Sequence, residues 1–196
     1  MKKWLIPFGI VVVIAFAMYS WATGFNNSAV KMNEDVSESW GNVQTSYQRR
    51  NDLIGNLVNT VKGAAVFEKS TLTAVIEARA KATAVTIDPK NITPEQLAQF
   101  NQAQSGVSSS LSRLLVSVEA YPTLKANENF LKLQDELAST ENQILTARTR
   151  FNEAIKPYNN HIKTFPNSIL AGWFGFTGKP YFDAEPGAAK PVEVKF

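Results

Sequence analysis

The sequence predicts an all-α fold in which an N-terminal transmembrane helix is followed by an antiparallel up-and-down four-helix bundle and an irregular C-terminal tail. The first observation behind this prediction is an uncharged, apolar run from Trp4 to Thr23. The second is a series of apolar stripes whose members are spaced alternately by three and four residues, the repeat of helices packed nearly antiparallel. The third is that turn and capping residues fall between the stripes.

The apolar run has the length of a membrane span. Its twenty residues would form a helix of roughly 30 Å, which matches the hydrocarbon thickness of a bilayer. Trp4 stands at one end and Tyr19 and Trp21 at the other, where aromatic rings favour the headgroup level. A cleaved secretory signal is the alternative, with 15–17 as its small-residue cleavage site. The run continues past that site, so we expect an uncleaved signal-anchor over 4–23.

Charges beside the span predict its orientation. Lys2 and Lys3 precede it, whereas Lys31 alone follows it closely and is accompanied by acidic residues. Basic residues favour the cytoplasmic side, so we expect residues 1–3 in the cytoplasm and the bundle, 24–166, on the extracytoplasmic side. The same two lysines account for most of the net charge of +3. The rest of the chain therefore offers no basic patch for nucleic acid.

Four stripes predict four helices, over about 36–64, 67–82, 97–121 and 130–165. We expect the largest apolar members of these stripes to form the bundle core: Trp40, Tyr47, Ile54, Leu57, Phe130, Ile144, Phe151 and Tyr158. Only Gly63 separates the first two stripes. A turn there, which we favour, gives four helices, and a kink would give one long helix.

Capping residues mark the other boundaries. Thr93, Pro94 and Gln96 offer an N-cap, a proline at the first helical position and the partner that completes a capping box. Either Thr123 or Asn127 can cap the last helix, which Pro166 ends.

Pro157 lies inside the last stripe. A proline removes one backbone hydrogen bond, but the stripe keeps its phase on both sides of it. We therefore predict a kink at Pro157 and not the end of the helix.

These residues resemble a known family. The chain is similar to the LemA family of bacterial membrane proteins in an ordered series of short motifs that covers nearly its whole length: Trp40, Tyr47-Gln48-Arg49-Arg50, Asp52-Leu53-Ile54, Asn56-Leu57-Val58, Val61-Lys62-Gly63, Glu77-Ala78-Arg79, Glu119-Ala120-Tyr121-Pro122, Leu124-Lys125-Ala126-Asn127, Thr140-Glu141-Asn142, Tyr158-Asn159, Phe165-Pro166 and Gly175-Phe176. The resemblance implies an up-and-down four-helix bundle anchored to the bacterial cytoplasmic membrane. It implies no enzymatic activity, and Pro157 departs from the family's pattern.

Charged residues within the stripes are the first candidate site. Arg50 lies in the first stripe, and Glu141 and Arg148 lie in the last. If Phe165 returns to the level of Val30, Arg50 lies level with about residue 145. We expect Arg50 and Glu141 to share a polar layer, with Arg148 near it and Arg79 of the second stripe as a further member. The layer would fix helix register, and a ligand site or a switch is the alternative.

The residue inventory argues against common catalytic and metal chemistry. The chain has no cysteine and one histidine, His161, and it lacks the Glu-x-x-His, Gly-x-Ser-x-Gly and phosphate-loop motifs. We expect His161 to be a partly exposed polar residue, and we expect no cofactor, no metal and no enzymatic activity.

The tail, 167–196, begins with an apolar segment after Pro166. Antiparallel topology returns this point to the membrane surface, so the segment either contacts lipid or a partner protein, or caps the end of the bundle core. The candidate contact residues are Ile169, Leu170, Trp173, Phe174 and Phe176.

Together these features favour a non-enzymatic, single-pass scaffold or self-assembling protein. Its expected partners are membrane lipid, copies of itself and other membrane proteins, because helical seams of this repeat also pair between chains. A binding or sensing module with a small-ligand or peptide site at the polar layer is the alternative function.

Overall fold

The computed structural model describes residues 4–63 and 67–183. Within these ranges the chain forms six α-helices and no β-strand, which confirms the predicted all-α class. The helices are α1 (Leu5–Lys62), α2 (Lys69–Ala84), α3 (Pro94–Val118), α4 (Pro122–Lys125), α5 (Glu128–Lys163) and α6 (Asn167–Phe174). The predicted cytoplasmic segment 1–3 and the tail residues 184–196 lie outside the described residues.

Helix α1 is 58 residues long and passes from the apolar run into the bundle without a break. Its first part is the one segment among the described residues that is long and apolar enough to cross a membrane, and none of that segment is buried. Burial begins at Phe25. The boundary near Gly24 is therefore a change of surroundings along one helix, whose backbone hydrogen bonds continue across it. The end of α1 at Lys62 makes α1 and α2 separate helices, as expected from Gly63.

Two predicted N-caps are present. Thr93 Oγ1 accepts from the Gln96 backbone N–H at 3.2 Å, and Gln96 Oε1 accepts from the Thr93 N–H at 3.1 Å, which completes the capping box of α3. Asn127, and not Thr123, caps α5, since its Oδ1 accepts from Asn129 N at 3.0 Å and Phe130 N at 3.1 Å. The four-residue α4 precedes this cap.

Helix α5 continues through Pro157 and ends at Lys163, so the proline does not terminate it. The tail was expected to be irregular, but it begins with the eight-residue α6. Gly175 ends α6 in the left-handed region at φ +76°, and the Phe176 N–H bonds back to the Ala171 carbonyl at 2.9 Å. Glycine supplies that conformation without a steric penalty, which gives a helix this short a defined end.

From Phe25 onward α1 packs along α5, and α2 and α3 form a shorter hairpin beside them. All eight expected core residues are buried. Trp40 lies between two aromatic rings, with its ring centroid 5.3 Å from that of Phe100 and 5.3 Å from that of Phe151. The buried apolar residues form two clusters. One runs from Phe25 to Tyr47 along α1, and the other from Leu53 to Val61.

Candidate functional site

A polar layer separates the two apolar clusters. Arg50 of α1 is 2% exposed, and its Nη1 donates to Glu141 Oε1 of α5 at 3.1 Å and to Ser108 Oγ of α3 at 3.2 Å. Its Nη2 donates to Gln104 Oε1 of α3. The guanidinium carbon also lies 4.9 Å from the centroid of the Tyr47 ring. One side chain of α1 thus contacts both α3 and α5 at a single level of the bundle.

The surroundings of this layer are asymmetric. Arg50 is buried, whereas the Glu141 side chain is 45% exposed, so water reaches the carboxylate but not the guanidinium. The Arg50 Nε is buried without a hydrogen-bond partner among the described residues. Because the carboxylate remains hydrated, the ion pair contributes less than a fully enclosed one, and the two uncharged acceptors on α3 compensate part of the desolvation of Arg50.

The other two arginines expected near this layer, Arg79 and Arg148, contact other residues. Arg79 of α2 packs over Gly55 of α1, with guanidinium atoms 3.5–3.6 Å from the position that a Cβ would occupy. The Arg148 Nη2 donates to the Asp183 carbonyl at 2.9 Å, and its guanidinium carbon lies 4.9 Å from the centroid of the Phe182 ring. The structure therefore brings Arg50 and Glu141 together and directs Arg148 to the C-terminal part of the chain.

That C-terminal part forms a strap, residues 177–183, along α5. Asn152 and Asn159 each make two hydrogen bonds to its backbone. Asn152 Nδ2 donates to the Phe182 carbonyl at 3.0 Å, and its Oδ1 accepts from the Phe182 N–H at 2.8 Å. Asn159 bonds Lys179 in the same way, at 2.8 and 2.9 Å. The two amides thus satisfy the backbone of a segment that has no regular structure.

The strap also completes the core. The Phe182 ring is 5% exposed and stacks on Trp40 at 6.0 Å between centroids, and it meets the Phe151 ring edge-on at 5.4 Å. Phe182 therefore covers one side of the central tryptophan.

Lys179 is a buried cation within the strap. Its Nζ donates to the carbonyls of Pro89 at 3.0 Å and Lys90 at 2.8 Å, in the connection between α2 and α3. Burial lowers the pKa of the Lys179 ammonium, and the carboxylates of Asp88 and Glu34 partly oppose this shift. The side chain ties the strap to the α2–α3 connection.

Tyr158 lies beside this cation, with its ring centroid 5.7 Å from Lys179 Nζ. Its hydroxyl donates to the Thr177 carbonyl at 2.9 Å. Burial raises the pKa of the Tyr158 phenol, so the folded protein favours the neutral form that donates this bond.

The membrane-proximal end of the bundle is aromatic. Trp21 Nε1 donates to Asn167 Oδ1 at 3.3 Å, which fixes α6 beside the end of the apolar run. The Phe25 ring stacks on His161 at 4.9 Å and lies 6.2 Å from the Phe174 ring. His161 is partly buried, and its Nε2 lies 3.2 Å from the Phe25 carbonyl oxygen.

The five candidate contact residues divide into two groups. Leu170 is buried and Phe176 is partly buried against the core, so these two cap the end of the bundle. Ile169, Trp173 and Phe174 are exposed, with Trp173 at 81%. The segment therefore covers the core with one face and presents an apolar face outward.

An open groove of about 540 Å³ lies between α1 and α5. Polar side chains, Ala147 and Arg150 line it, and neither Arg50 nor Glu141 is among them. The hydroxyls of Thr45, Ser46 and Thr146 donate to carbonyls of their own helices. Among the residues that the structure describes, no group of three or more His, Asp or Glu side chains is placed to hold a metal ion.

Sequence reasoning missed the strap and the α3 partners of Arg50. Gln104 is a member of the third apolar stripe, so an amide at a core position was the available signal for a bond to Arg50. Asn152 and Asn159 are seven residues apart and therefore share one face of α5. That spacing was the available signal for a peptide segment along α5.

The chain is similar in sequence to several known proteins. The model of the LemA family matches residues 39–196. Magnetosome protein MamQ 2 from Paramagnetospirillum magneticum (strain ATCC 700264 / AMB-1) is 28% identical over 183 residues, which covers 85% of this chain and 67% of that protein. Magnetosome protein MamQ from Magnetospirillum gryphiswaldense has the same identity and coverage. Protein LemA from Metamycoplasma hominis is 24% identical over 170 residues, covering 87% of this chain and 73% of that protein.

Proposed function

Because the chain belongs to the LemA family, we propose that it is a non-enzymatic protein that the apolar part of α1 anchors in the bacterial cytoplasmic membrane, where its bundle acts as a scaffold for copies of itself or for other membrane proteins. The single observation that carries this proposal is the continuity of α1 from the apolar run into the bundle core. A helix without a flexible joint holds the bundle at a fixed height, which suits a structural role.

The polar layer supports the scaffold reading. Arg50 distributes its donors over Gln104, Ser108 and Glu141, so its hydrogen-bonding capacity serves the contacts between helices. A shift of α1 by one heptad would place Arg50 within an apolar cluster, at a cost of several kcal/mol. A ligand site at this layer is less favoured, because Gln104, Ser108 and Glu141 already accept hydrogen bonds from the guanidinium.

Self-association can be measured with the full chain in nanodiscs. We expect native mass spectrometry to find more than one copy in each assembly, or a photo-crosslinker at the exposed Leu145 to give one adduct of defined mass in native membranes. A strict monomer that forms no adduct would contradict the scaffold proposal.

We also propose that the bundle lies on the extracytoplasmic side of the membrane. Because the sequence contains no cysteine, a single introduced cysteine can test this orientation. An Asn59→Cys variant places a thiol on the exposed surface near the far end of α1. We expect a membrane-impermeant maleimide to label it in intact spheroplasts. Labelling only after lysis would place the bundle in the cytoplasm.

A further inference from the structure

We propose that the corner formed by the end of α5 and by α6 lies in the headgroup region of the same bilayer that holds the apolar part of α1. This inference rests on the proposed membrane anchoring and assigns an anionic lipid surface as the partner of one face of the bundle. The exposed side chains of this corner are Phe165, Ile169, Trp173 and Phe174.

Two contacts between α1 and the C-terminal helices determine the height of the corner relative to the bilayer. The bond from Trp21 to Asn167 places the start of α6 level with the last residues of the apolar run. The stack of Phe25 on His161 places the last turn of α5 about one helical turn above that level. The chain between these two contacts, which includes Phe165, therefore lies at the depth where the α1 span leaves the hydrocarbon.

The exposed surface of the corner is apolar and aromatic. Phe165 is 82% exposed, and Trp173 is nearly as open. Ile169 and Trp173 are four residues apart and share one face of α6, opposite the buried Leu170 and Ala171. Large apolar and aromatic side chains gathered on one outward face are typical of segments that lie in the membrane interface.

Charge favours lipid over a second protein surface as the occupant. No acidic residue occurs from Ala154 to Phe182, whereas Lys156 and Lys163 are exposed in this stretch. On α1 the first acidic residue is Glu34, beyond the level of the corner. Lys163 has no acidic residue within nine positions of it in the sequence, so it suits anionic headgroups, and the apolar rings suit the acyl boundary beneath them.

Contact at the corner would give the bundle a second attachment beside the α1 span. One attachment leaves a rod free to tilt, and a second attachment beside it restricts the tilt. The full chain in nanodiscs of phosphatidylcholine and phosphatidylglycerol provides the test, with a nitroxide on a single introduced cysteine. Gly172→Cys suits the corner because a Cβ at Gly172 meets no heavy atom within 4 Å and all four apolar side chains remain.

Two further labels serve as references. Val13→Cys reports from the apolar run, and Leu145→Cys reports from an exposed apolar position on α5, roughly 30 Å farther from the membrane than Phe165. We expect the ratio of oxygen accessibility to accessibility to a water-soluble nickel chelate to be highest at 13 and lowest at 145, with the label at 172 clearly above the label at 145 and below the label at 13. Adding Phe165→Ser and Trp173→Ser to Gly172→Cys should shift the ratio at 172 towards that at 145.

Each contrary outcome has a distinct meaning. A label at 172 that resembles the one at 145, while the label at 13 stays in lipid, overturns the corner proposal and leaves the anchor intact. A label at 13 in water overturns the proposed anchoring itself. Spin–spin broadening at 172 that disappears on dilution with unlabelled chain would assign the face to a second copy and overturn the lipid assignment, as would an unchanged ratio in the variant that lacks both rings.

Discussion

At the scale of single residues, we propose that Arg50 determines how the helices are aligned. It lies between an apolar cluster that ends at Tyr47 and one that begins at Leu53. On α5 the same gap falls between Ile144 and Leu137, where Glu141 is found. Since a buried guanidinium must find acceptors, only an alignment that brings polar groups of α3 and α5 to this gap satisfies it.

The contribution of Glu141 can be measured by Glu141→Gln, which removes the carboxylate charge and keeps the shape. We expect the free energy of unfolding to fall by about 1 kcal/mol, less than for an enclosed pair because Glu141 is half exposed. Urea unfolding of the full chain in micelles, followed by helical circular dichroism, gives this value. The exposed Glu153→Gln is the matched control, and equal values for the two variants would show that the pair does not stabilise the bundle.

Tyr158 predicts a dependence on pH. We expect Tyr158→Phe to be about 1 kcal/mol less stable than the unsubstituted chain at pH 7, because the bond to the Thr177 carbonyl is lost. Above the ordinary tyrosine pKa of about 10, the unfolded chain ionises Tyr158 while burial keeps the folded form neutral, so the unsubstituted chain loses stability with rising pH.

The difference in unfolding free energy between the unsubstituted chain and Tyr158→Phe should therefore become smaller above about pH 10. Urea midpoints of both proteins across the alkaline range measure this difference. Tyr181→Phe, which changes an exposed tyrosine nearby, is the control. The difference in urea midpoint between this variant and the unsubstituted chain should stay the same across the alkaline range. A gap for Tyr158→Phe that stays constant to high pH would argue against a buried, neutral phenol.

At the scale of elements, the strap behaves as a part of the bundle. It bonds to two asparagines of α5, covers Trp40 with Phe182 and inserts Lys179 beside the α2–α3 connection. These contacts link three parts of the chain that are far apart in sequence. Loss of the strap would expose aromatic surface on the α1–α5 pair.

Phe182→Ala tests this role of the strap. We expect it to lower the free energy of unfolding by about 3 kcal/mol, since it removes a buried ring from the core. Tyr181→Ala, one residue earlier and exposed, should cost far less. Hydrogen exchange of the Lys179 and Phe182 amides should speed up in the Phe182 variant. Equal stability losses for the two variants would mean that the strap does not hold the core.

The sequence predicted the four long helices α1, α2, α3 and α5, but not the short α4 and α6, because each long helix buries one face and burial imposes a spacing of three and four residues. Thr93 and Asn127 then located two helix starts through local hydrogen bonds. The strap has no such period, because its backbone is satisfied by side chains of α5. The contacts of Arg148 with Phe182 and Asp183 could not be predicted for the same reason, since both residues lie on the strap.

At the scale of the whole molecule, α1 combines the apolar run and the longest helix of the bundle. From Thr23 to Asn59 a straight helix rises roughly 55 Å. We therefore expect a fluorophore at Asn59→Cys to lie about that far from the membrane face in nanodiscs, as measured by energy transfer to labelled lipid.

A label at Leu145→Cys, about 20 residues beyond Phe165 along α5, should lie roughly half as far from the membrane. Similar distances for both labels would mean that the bundle lies against the membrane or that α1 bends near Gly24.

Because α1 is unbroken, the directions in which side chains point from its axis are linked between its apolar part and its bundle part. Successive residues of an α-helix are about 100° apart, so the direction in which Trp40 points from the axis is determined by the direction in which Val13 points. A neighbouring protein that binds one side of the apolar part of α1 within the lipid therefore faces one particular side of the bundle outside the membrane. Rotation of the apolar part of α1 about its axis turns that side of the bundle by the same angle.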